Sequence, residues 1–398
     1  MNRRFFFASL LPPAFSPGAS ALVNRLERFT IWERRQSAPC WFHPRACLLP
    51  DGSLFMTLQT ISGSDFFGPV HWSLSRDGGM RWSDPQPVPG LGRRPLEDGL
   101  EEAVSDVVPQ YHARSRTLLA IGHNLYYKDG KLTMPAERRW PVYCVRRGDD
   151  SWDPPRRLEW GNPDADGIYT SGCAQRIHLD NGGILLPLSF GSKRREDRAV
   201  ATALCSFDGS RLAFKRHGPA LRLPVKRGLL EPALARFRHR FYMTIRAEDG
   251  RGYLTHSRDG LHWSPIQPWC FHDGEELVMS TTQQRWLAHS DGLFLVYTRK
   301  RAENLNVTRW RAPLLMAQLD TESLTLRRDT EMVVFPMLGD GIARPQEVAL
   351  MGNFHTSPAT PAFSLITVGE NLASNGFRGN TLAARVYWNR PNRLAGRA

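Results

Sequence analysis

One short turn occurs twice in this chain and constrains its fold more than any other feature. Residues 75–82 read SRDGGMRW, and residues 257–263 read SRDGLHW, which is one residue shorter. In such a turn the Ser and Asp side chains hydrogen-bond to the backbone, Gly adopts a positive φ and Trp packs underneath. Partial copies occur at residues 150–152 (DSW) and 206–209 (SFDG). Recurrence of one hairpin turn at long range predicts a fold built from repeated units.

From about residue 38, pairs of apolar segments separated by turns follow one another along the chain. The six pairs are 46–49 with 54–58, 107–109 with 118–121, 173–179 with 184–188, 232–237 with 241–245, 286–289 with 293–297, and 348–354 with 363–368. Their periodicity is typical of strands, and helical periodicity is scarce, with one short amphipathic segment at residues 24–33. The pattern predicts an all-β protein, a six-bladed β-propeller of four-stranded antiparallel blades. A parallel β-helix is the competing architecture, but its repeats would be shorter and more regular.

Charge and composition narrow the choice of partners. The 398 residues carry a formal net charge of +13, which favours anionic partners such as acidic glycans. The arginines are scattered and no nucleic-acid-binding motif accompanies them, so we expect no nucleic-acid partner. Six cysteines show no metal-site spacing, and we expect most to be buried as small apolar residues and no metal or cofactor to be bound. The oligomeric state is left open.

The first residues read MNRRFFFASLLPPAFSPGASA and predict export. A twin arginine, a short apolar run and an A-x-A site resemble a twin-arginine export signal, and a disordered basic tail is the alternative. The run is too short to span a bilayer, and we expect no membrane span. We therefore divide the chain into a signal at 1–21, a lead-in at 22–37 and a propeller at 38–398, in a periplasmic or secreted protein.

The repeated turn resembles the Asp box of the sialidase (neuraminidase) superfamily, and the resemblance extends over residues 38–390. Glu231-Pro232 opens the fourth unit and Arg246 ends its hairpin, which is similar to an E-P…R pattern of sialidases. Arg45 precedes the first strand, although the usual R-I-P order is absent, and Arg311 lies in the fifth unit. The resemblance implies an exo-acting glycoside hydrolase that removes a terminal acidic sugar from glycans, with sialic acid as the first candidate. It also implies that Arg45, Arg246 and Arg311 bind the substrate carboxylate.

The chemistry of arginine supports the carboxylate-binding part of this assignment independently of the family, and the roles of Asp65 and Glu231 are further implications of the resemblance. A guanidinium group offers a planar fork that holds a carboxylate through two charge-assisted hydrogen bonds. Asp65 lies in a loop comparable to that of the sialidase acid/base aspartate, where Phe66 and Phe67 can desolvate it. Glu231 would orient or activate the nucleophile. Retaining sialidases use a tyrosine as that nucleophile, but only Tyr387 follows Arg311 in this chain.

The missing tyrosine keeps two other functions open. Asp106 corresponds by position to Arg45 and Glu231, and His123 ends its strand as Arg246 does. This pair suits a propeller lyase or hydrolase that acts on uronate-containing polysaccharide, with His123 as the base. Gln175 and Gln283 would bind sugar hydroxyls in either enzyme. A non-catalytic carbohydrate-binding propeller is the third possibility.

Overall fold

The structure, a computed structural model, describes residues 22–133, 139–192 and 197–395. Within these ranges the strands form six antiparallel sheets, and no α-helix is present. The predicted all-β, six-bladed propeller is thus confirmed, although three sheets carry strands beyond the expected four. The expected export signal at 1–21 lies outside the described residues.

The strands follow the order of the blades, apart from β1, which belongs to the last one. The bounds are β1 (Val23–Trp32); in blade 1, β2 (Cys40–Leu48), β3 (Leu54–Gly63), β4 (Phe66–Ser75) and β5 (Gln86–Pro87); in blade 2, β6 (Arg94–Pro95), β7 (Leu100–His112), β8 (Thr117–Lys128), β9 (Lys131–Thr133), β10 (Pro141–Arg146) and β11 (Arg156–Arg157); in blade 3, β12 (Ile168–Thr170), β13 (Ile177–His178), β14 (Ile184–Gly191), β15 (Ala199–Phe207) and β16 (Leu212–His217). They continue in blade 4 with β17 (Leu230–Phe237), β18 (Arg240–Arg246), β19 (Gly252–Ser257) and β20 (Gln267–Pro268); in blade 5 with β21 (Arg285–His289), β22 (Gly292–Tyr297), β23 (Leu314–Asp320), β24 (Thr325–Leu326) and β25 (Met332–Phe335); and in blade 6 with β26 (His355–Thr360), β27 (Phe363–Gly369) and β28 (Thr381–Trp388). Short 3-10 helices occupy Glu97–Gly99, Pro163–Ala165, Ala302–Asn304, Thr308–Trp310, Arg328–Thr330, Pro345–Glu347 and Ala373–Asn375.

The ring is closed by its two chain ends. Strand β1 pairs antiparallel with β28, from Val23 opposite Trp388 to Trp32 opposite Thr381. Residues 24–33, which the sequence predicted as a separate amphipathic segment of the lead-in, are therefore the outer strand of blade 6. That prediction was wrong because the partner strand lies at the far end of the chain, and pairing at such range leaves no local pattern.

The repeated turn joins the third and fourth strands of blades 1 and 4. In blade 4 the Asp259 carboxylate accepts hydrogen bonds from the Ser257 hydroxyl at 3.0 Å and from the Leu261 and His262 main-chain N–H groups at 2.9 and 2.8 Å. Gly260 has a φ of 76°, and a Cβ there would lie 2.4 Å from the Leu185 side chain. The turn is therefore set by local hydrogen bonds and by a position that requires glycine.

Apolar side chains between neighbouring blades form the core. Between blades 1 and 2, for example, Phe55 and Val70 pack with Val104 and Leu118. Similar clusters fill the other inter-blade spaces, and the one between blades 5 and 6 also receives Val23 from the chain start. Each fully buried side chain of this kind contributes about 1.5–3 kcal/mol, so the clusters hold the blades in fixed positions around the axis.

The inner strand of blade 6 differs from the sequence prediction. The apolar run at 348–354 is not a strand, and the inner strand is β26, which reads HTSPAT. Here His355, Thr356 and Ser357 are all buried, because the strand faces the polar axis and not an apolar core. The search for apolar segments therefore missed this strand, because its buried side chains are polar.

The cysteines are all free thiols, and five of the six are buried, as expected from the sequence. Among the described residues, no helix is long and apolar enough to cross a membrane.

Candidate active site

A pocket of about 230 Å³ opens on the propeller axis and receives side chains from all six blades. We call it the axial pocket. Its described lining carries six arginines, Arg139, Arg198, Arg227, Arg246, Arg309 and Arg311, and three carboxyl groups, Asp65, Asp106 and Glu231. Guanidinium groups outnumber carboxylates, so the pocket has a positive charge that favours an anionic ligand.

Bulges in three inner strands direct side chains into the axial pocket. His43, Asp106 and Glu231 are each skipped by the pairing between the first and second strands of their blades. Each has a positive φ, of 53°, 59° and 46° respectively. A bulge of this kind bends the strand and re-aims one side chain, here toward the axis. The three residues therefore occupy equivalent positions in blades 1, 2 and 4.

The residues opposite these bulges are equivalent as well. His123 pairs with Ser105, just before the bulge at Asp106, and Arg246 pairs with Leu230, just before the bulge at Glu231. The sequence-based correspondence between the Asp106–His123 and Glu231–Arg246 pairs thus agrees with the strand register. In blade 1, however, the equivalent residue is His43, and the assignment of Arg45 to this position was wrong by two residues because the bulge shifts the register.

Arg246 and Arg311 lie together on the blade 4 and blade 5 side of the axial pocket. Arg246 donates hydrogen bonds to Glu231 at 2.5 Å, to Glu248 at 3.2 Å and to the Thr281 hydroxyl at 3.1 Å. Arg311 donates to the main-chain oxygen of the same Thr281 at 3.4 Å. Burial lowers the pKa of Arg311 to about 10, and the positive charge of Arg246 acts in the same direction. Arg311 therefore remains a cation at neutral pH, and the two guanidinium groups face one another across Thr281.

Arg45 does not join this pair on the pocket wall. Its side chain has no exposed surface, and its Nη2 donates to Asp106 at 2.6 Å. The remaining Nε and Nη1 groups are buried without a hydrogen-bond partner. The structure therefore brings together two of the three predicted arginines, and Arg45 instead supports Asp106 from beneath.

Asp106 lies between two histidines at the base of the axial pocket. The His43 Nε2 atom is 3.5 Å from its carboxylate and 3.1 Å from the Asn353 side-chain oxygen. Burial alone would raise the pKa of Asp106, but the charges of His43, Arg45 and His123 hold that pKa well below its usual range. Asp106 is consequently an anion, and the cation that it contacts is Arg45.

His123 is a neutral imidazole at physiological pH. Burial lowers its pKa to about 4, although the Asp106 carboxylate acts in the opposite direction. Its Nδ1 atom is buried and has no hydrogen-bond partner. The ring also packs closely on Gly172, where a Cβ would lie 2.2 Å from Nδ1. One of the two ring nitrogens of a neutral imidazole is unprotonated, so His123, which lines the axial pocket, has the properties of a general base.

Asp65 lines the axial pocket, but its environment differs from the expectation. The residue is exposed, and its main-chain oxygen accepts a hydrogen bond from the Tyr127 hydroxyl at 2.8 Å. Phe66 packs against Tyr127, and Phe67 stacks on Phe42. The two phenylalanines thus hold the loop in place, and they do not remove the carboxyl group from water.

The two predicted sugar-binding glutamines have structural partners. Gln175 lies at a second cavity of about 360 Å³, lined by the other ends of the inner strands, and hydrogen-bonds to the main chain of Trp286 and to Thr356. Gln283 does line the axial pocket, but its amide oxygen accepts from Arg285 at 2.7 Å and its nitrogen donates to the Phe354 main chain. The sequence predicted that Gln175 binds sugar in the active site, but the residue lies at the second cavity, and its amide bridges blades 5 and 6.

Among the described residues, no tyrosine lines the axial pocket. Tyr387 lies in the third strand of blade 6 and donates its hydroxyl to Glu27. Tyr169, Tyr242 and Tyr297 belong to inter-blade clusters. On the blade 6 side, the pocket presents instead an amide, Asn353.

Sequence reasoning missed several lining residues. His43 had a usable signal, because His43-Pro44 repeats the X-Pro pattern of Glu231-Pro232 at the same bulge. The other missed cations, Arg139, Arg198, Arg227 and Arg309, lie outside the inner strands and follow no repeated pattern. In the described part of the chain, no group of three or more His, Cys, Asp or Glu side chains is arranged to hold a metal ion.

No protein-family model and no curated protein matches the sequence. Solved structures do resemble the fold. A protein of unknown function from Dyadobacter fermentans has a TM-score of 0.66 at 13% identity, and the match covers 94% of this chain and all of that one. Trypanosoma rangeli sialidase in complex with 2,3-difluoro-KDN has a TM-score of 0.61 at 14% identity, covering 91% of this chain but only 58% of the sialidase. A mutant of NanB sialidase from Streptococcus pneumoniae has a TM-score of 0.61 at 10% identity, covering 95% of this chain and 72% of that one. The protein therefore has the six-bladed β-propeller fold of the sialidases.

Proposed function

We propose that this protein is an exo-acting glycoside hydrolase that removes a terminal acidic sugar from glycans, with sialic acid as the first candidate substrate. The observation that carries the proposal is the excess of arginines over carboxylates in a pocket on the propeller axis. A pocket of about 230 Å³ is smaller than most ligand sites, which suits one terminal sugar better than an internal stretch of polymer.

Arg246 and Arg311 would bind the sugar carboxylate. Three of the Arg246 N–H groups are used by Glu231, Glu248 and Thr281, so two of its five remain for a ligand. The Arg311 Nε is buried without a partner and is a further donor on the same side. These contacts would fix the sugar with its acidic group toward blades 4 and 5.

Asp65 and Glu231 would act as the acid and the base of hydrolysis. Asp65 is exposed at the pocket, where it can protonate the leaving oxygen. No tyrosine in the described lining can serve as nucleophile, so Glu231 would act on a water molecule. Attack by water in one displacement inverts the anomeric configuration, which is the expected stereochemical outcome.

A uronate lyase is the second candidate, and the state of His123 favours it. Burial keeps its imidazole neutral, and the residue lines the axial pocket. In a lyase the unprotonated ring nitrogen of His123 would take the proton from the carbon next to the carboxylate, the bond to the leaving oxygen would break, and that oxygen would be protonated. A carbon–carbon double bond would remain in the sugar, and no water would be consumed.

Product analysis separates these functions. We would incubate the protein with sialylated oligosaccharides and with uronate oligosaccharides in water labelled with heavy oxygen, and follow products by mass spectrometry and ultraviolet absorbance. Incorporation of one heavy oxygen, with no absorbing product, supports hydrolysis. An unsaturated, ultraviolet-absorbing product without heavy oxygen identifies the lyase. Binding in calorimetry without any product identifies a carbohydrate-binding propeller, and absence of binding to every acidic sugar contradicts all three.

A further inference from the structure

A second group of arginines lines the axial pocket apart from Arg246 and Arg311. Arg139 precedes β10 of blade 2, Arg198 precedes β15 of blade 3, and Arg227 lies in the loop before β17 of blade 4. We call these three residues the Arg139 cluster. None belongs to the carboxylate-binding set implied by the sequence.

Main-chain hydrogen bonds hold the cluster together. The Arg198 N–H donates to the Arg227 oxygen at 3.1 Å, and the Arg198 oxygen accepts from Leu229 at 2.9 Å. The Arg139 oxygen accepts from the Tyr169 N–H of blade 3 at 3.0 Å. The backbone thus fixes Arg198 and Arg227 next to each other and fixes Arg139 against blade 3, where its charge acts on Arg198.

Among the residues that the structure describes, the positive charge of the cluster is only partly compensated. Arg227 donates to Glu248 at 2.6 Å, and Glu248 also accepts from Arg246. The Nε and Nη2 atoms of Arg139 are buried and have no hydrogen-bond partner. The pKa of Arg198 is lowered to about 10 by burial and, in the same direction, by the charges of Arg227 and Arg139. Adjacent cations with unused donors form a binding site for an oxyanion.

We propose that the Arg139 cluster is a second anionic subsite, so that the substrate is an acidic sugar that carries a second oxyanion group on the same ring or on the adjacent one. The proposal rests on the proposed function, because the first acidic group is the one bound by Arg246 and Arg311. Glu248 lies between the two groups of arginines and contacts both, through Arg227 and Arg246. This carboxylate separates two anion positions and disfavours one anion shared by all the arginines.

The subsite predicts a specific order of affinities. A sugar with two oxyanion groups should bind about tenfold tighter or more than a sugar with one, since it adds at least one charge-assisted contact. Arg139→Gln and Arg198→Gln should remove this advantage and leave the affinity for the single-acid sugar nearly unchanged. Arg246→Gln should weaken both ligands. Arg222→Gln, which removes an exposed charge outside the pocket, is the matched control.

Calorimetry at one fixed ionic strength tests this order with three probes: glucuronic acid, an O-sulfated glucuronic acid and a disaccharide of two uronic acids. Tighter binding of the O-sulfated glucuronic acid indicates that the subsite binds a sulfate ester, and tighter binding of the disaccharide indicates that it binds a second carboxylate. The proposal is overturned if the parent binds all three probes with equal affinity. It is also overturned if Arg139→Gln and Arg198→Gln weaken the binding of glucuronic acid as strongly as they weaken the binding of the two doubly acidic probes.

Inorganic sulfate separates failure of the subsite from failure of the proposed function. At constant ionic strength, replacing chloride by sulfate should raise the melting temperature of the parent and of Arg222→Gln in a saturable way. Arg139→Gln and Arg198→Gln should lose that rise. If no acidic sugar binds but sulfate acts in this way, the proposed function fails and the subsite stands as an oxyanion site. If sulfate has the same effect on all four proteins, the subsite is wrong.

Discussion

Replacing Arg246 by lysine tests the carboxylate-binding assignment directly. Arg246 contacts Glu231, Glu248 and Thr281 with three of its five N–H donors. A lysine ammonium has only three donors on a single nitrogen, and it cannot reach three protein partners and a ligand at once. Arg246→Lys therefore keeps the charge but removes the planar fork.

The expected loss is that of one charge-assisted hydrogen bond to the ligand. Such a bond contributes about 1.5–3 kcal/mol, which corresponds to a Kd increase of roughly one to two orders of magnitude. The ammonium remains near Glu231 and Glu248, so neither carboxylate is left without a cation. For this reason we expect Arg246→Lys to change the Kd for the ligand much more than it changes the melting temperature.

The assay is isothermal titration calorimetry with sialic acid and with glucuronic acid, together with a thermal melt of each protein. Arg236→Lys is the control, since Arg236 is exposed and pairs with Asp180 outside the pocket. A Kd for Arg246→Lys equal to that of the parent for every acidic sugar would refute the assignment. A large drop in melting temperature would show that the effect is structural, and Arg311→Lys would then be measured in its place.

Three further predictions concern stability and reactivity. Asp259→Ala and Asp77→Ala should each lower the free energy of unfolding by about 1–2 kcal/mol, since each carboxylate accepts three hydrogen bonds from the Ser hydroxyl and main chain of its turn, and that of Asp259 also contacts the His262 ring. Denaturant unfolding measures this change, and an accompanying change in ligand preference would contradict a purely structural role. His123 should make stability fall as the pH drops from about 6.5 to about 4, because over this range the unfolded chain binds a proton that the folded protein does not bind. Burial also lowers the pKa of other histidines, among them His43 and His355, so His123→Gln should reduce the pH dependence of the unfolding free energy without abolishing it. An unchanged profile would show that His123 titrates normally. Thiol reagents should modify at most Cys270 in the native protein, because the other five thiols are buried; mass spectrometry after labelling checks this, and rapid labelling of a second cysteine would contradict the fold.

The blades could be predicted from the sequence because a hairpin is a local structure. Apolar segments joined by short turns pair with each other directly, so their spacing indicates both strands and their number. The same locality explains why Glu231 with Arg246, and Asp106 with His123, could be found: each pair lies across a single hairpin. Where pairing is distant, as for β1 with β28, no local pattern in the sequence predicts it.

The composition of the axial pocket was decided only by the tertiary structure. A bulge at His43 sets the register of blade 1 and leaves Arg45 buried beneath Asp106, which a count of residues cannot show. Arg139 and Arg198 reach the pocket from loops of different blades, and their positions are fixed by main-chain hydrogen bonds to neighbouring blades, from Tyr169 to Arg139 and from Arg198 to Arg227. The sequence by itself thus determined the repeating unit and its number, since these depend on neighbouring residues. Ring closure decided which side chains share the pocket, because those residues are distant in sequence and meet only at the axis.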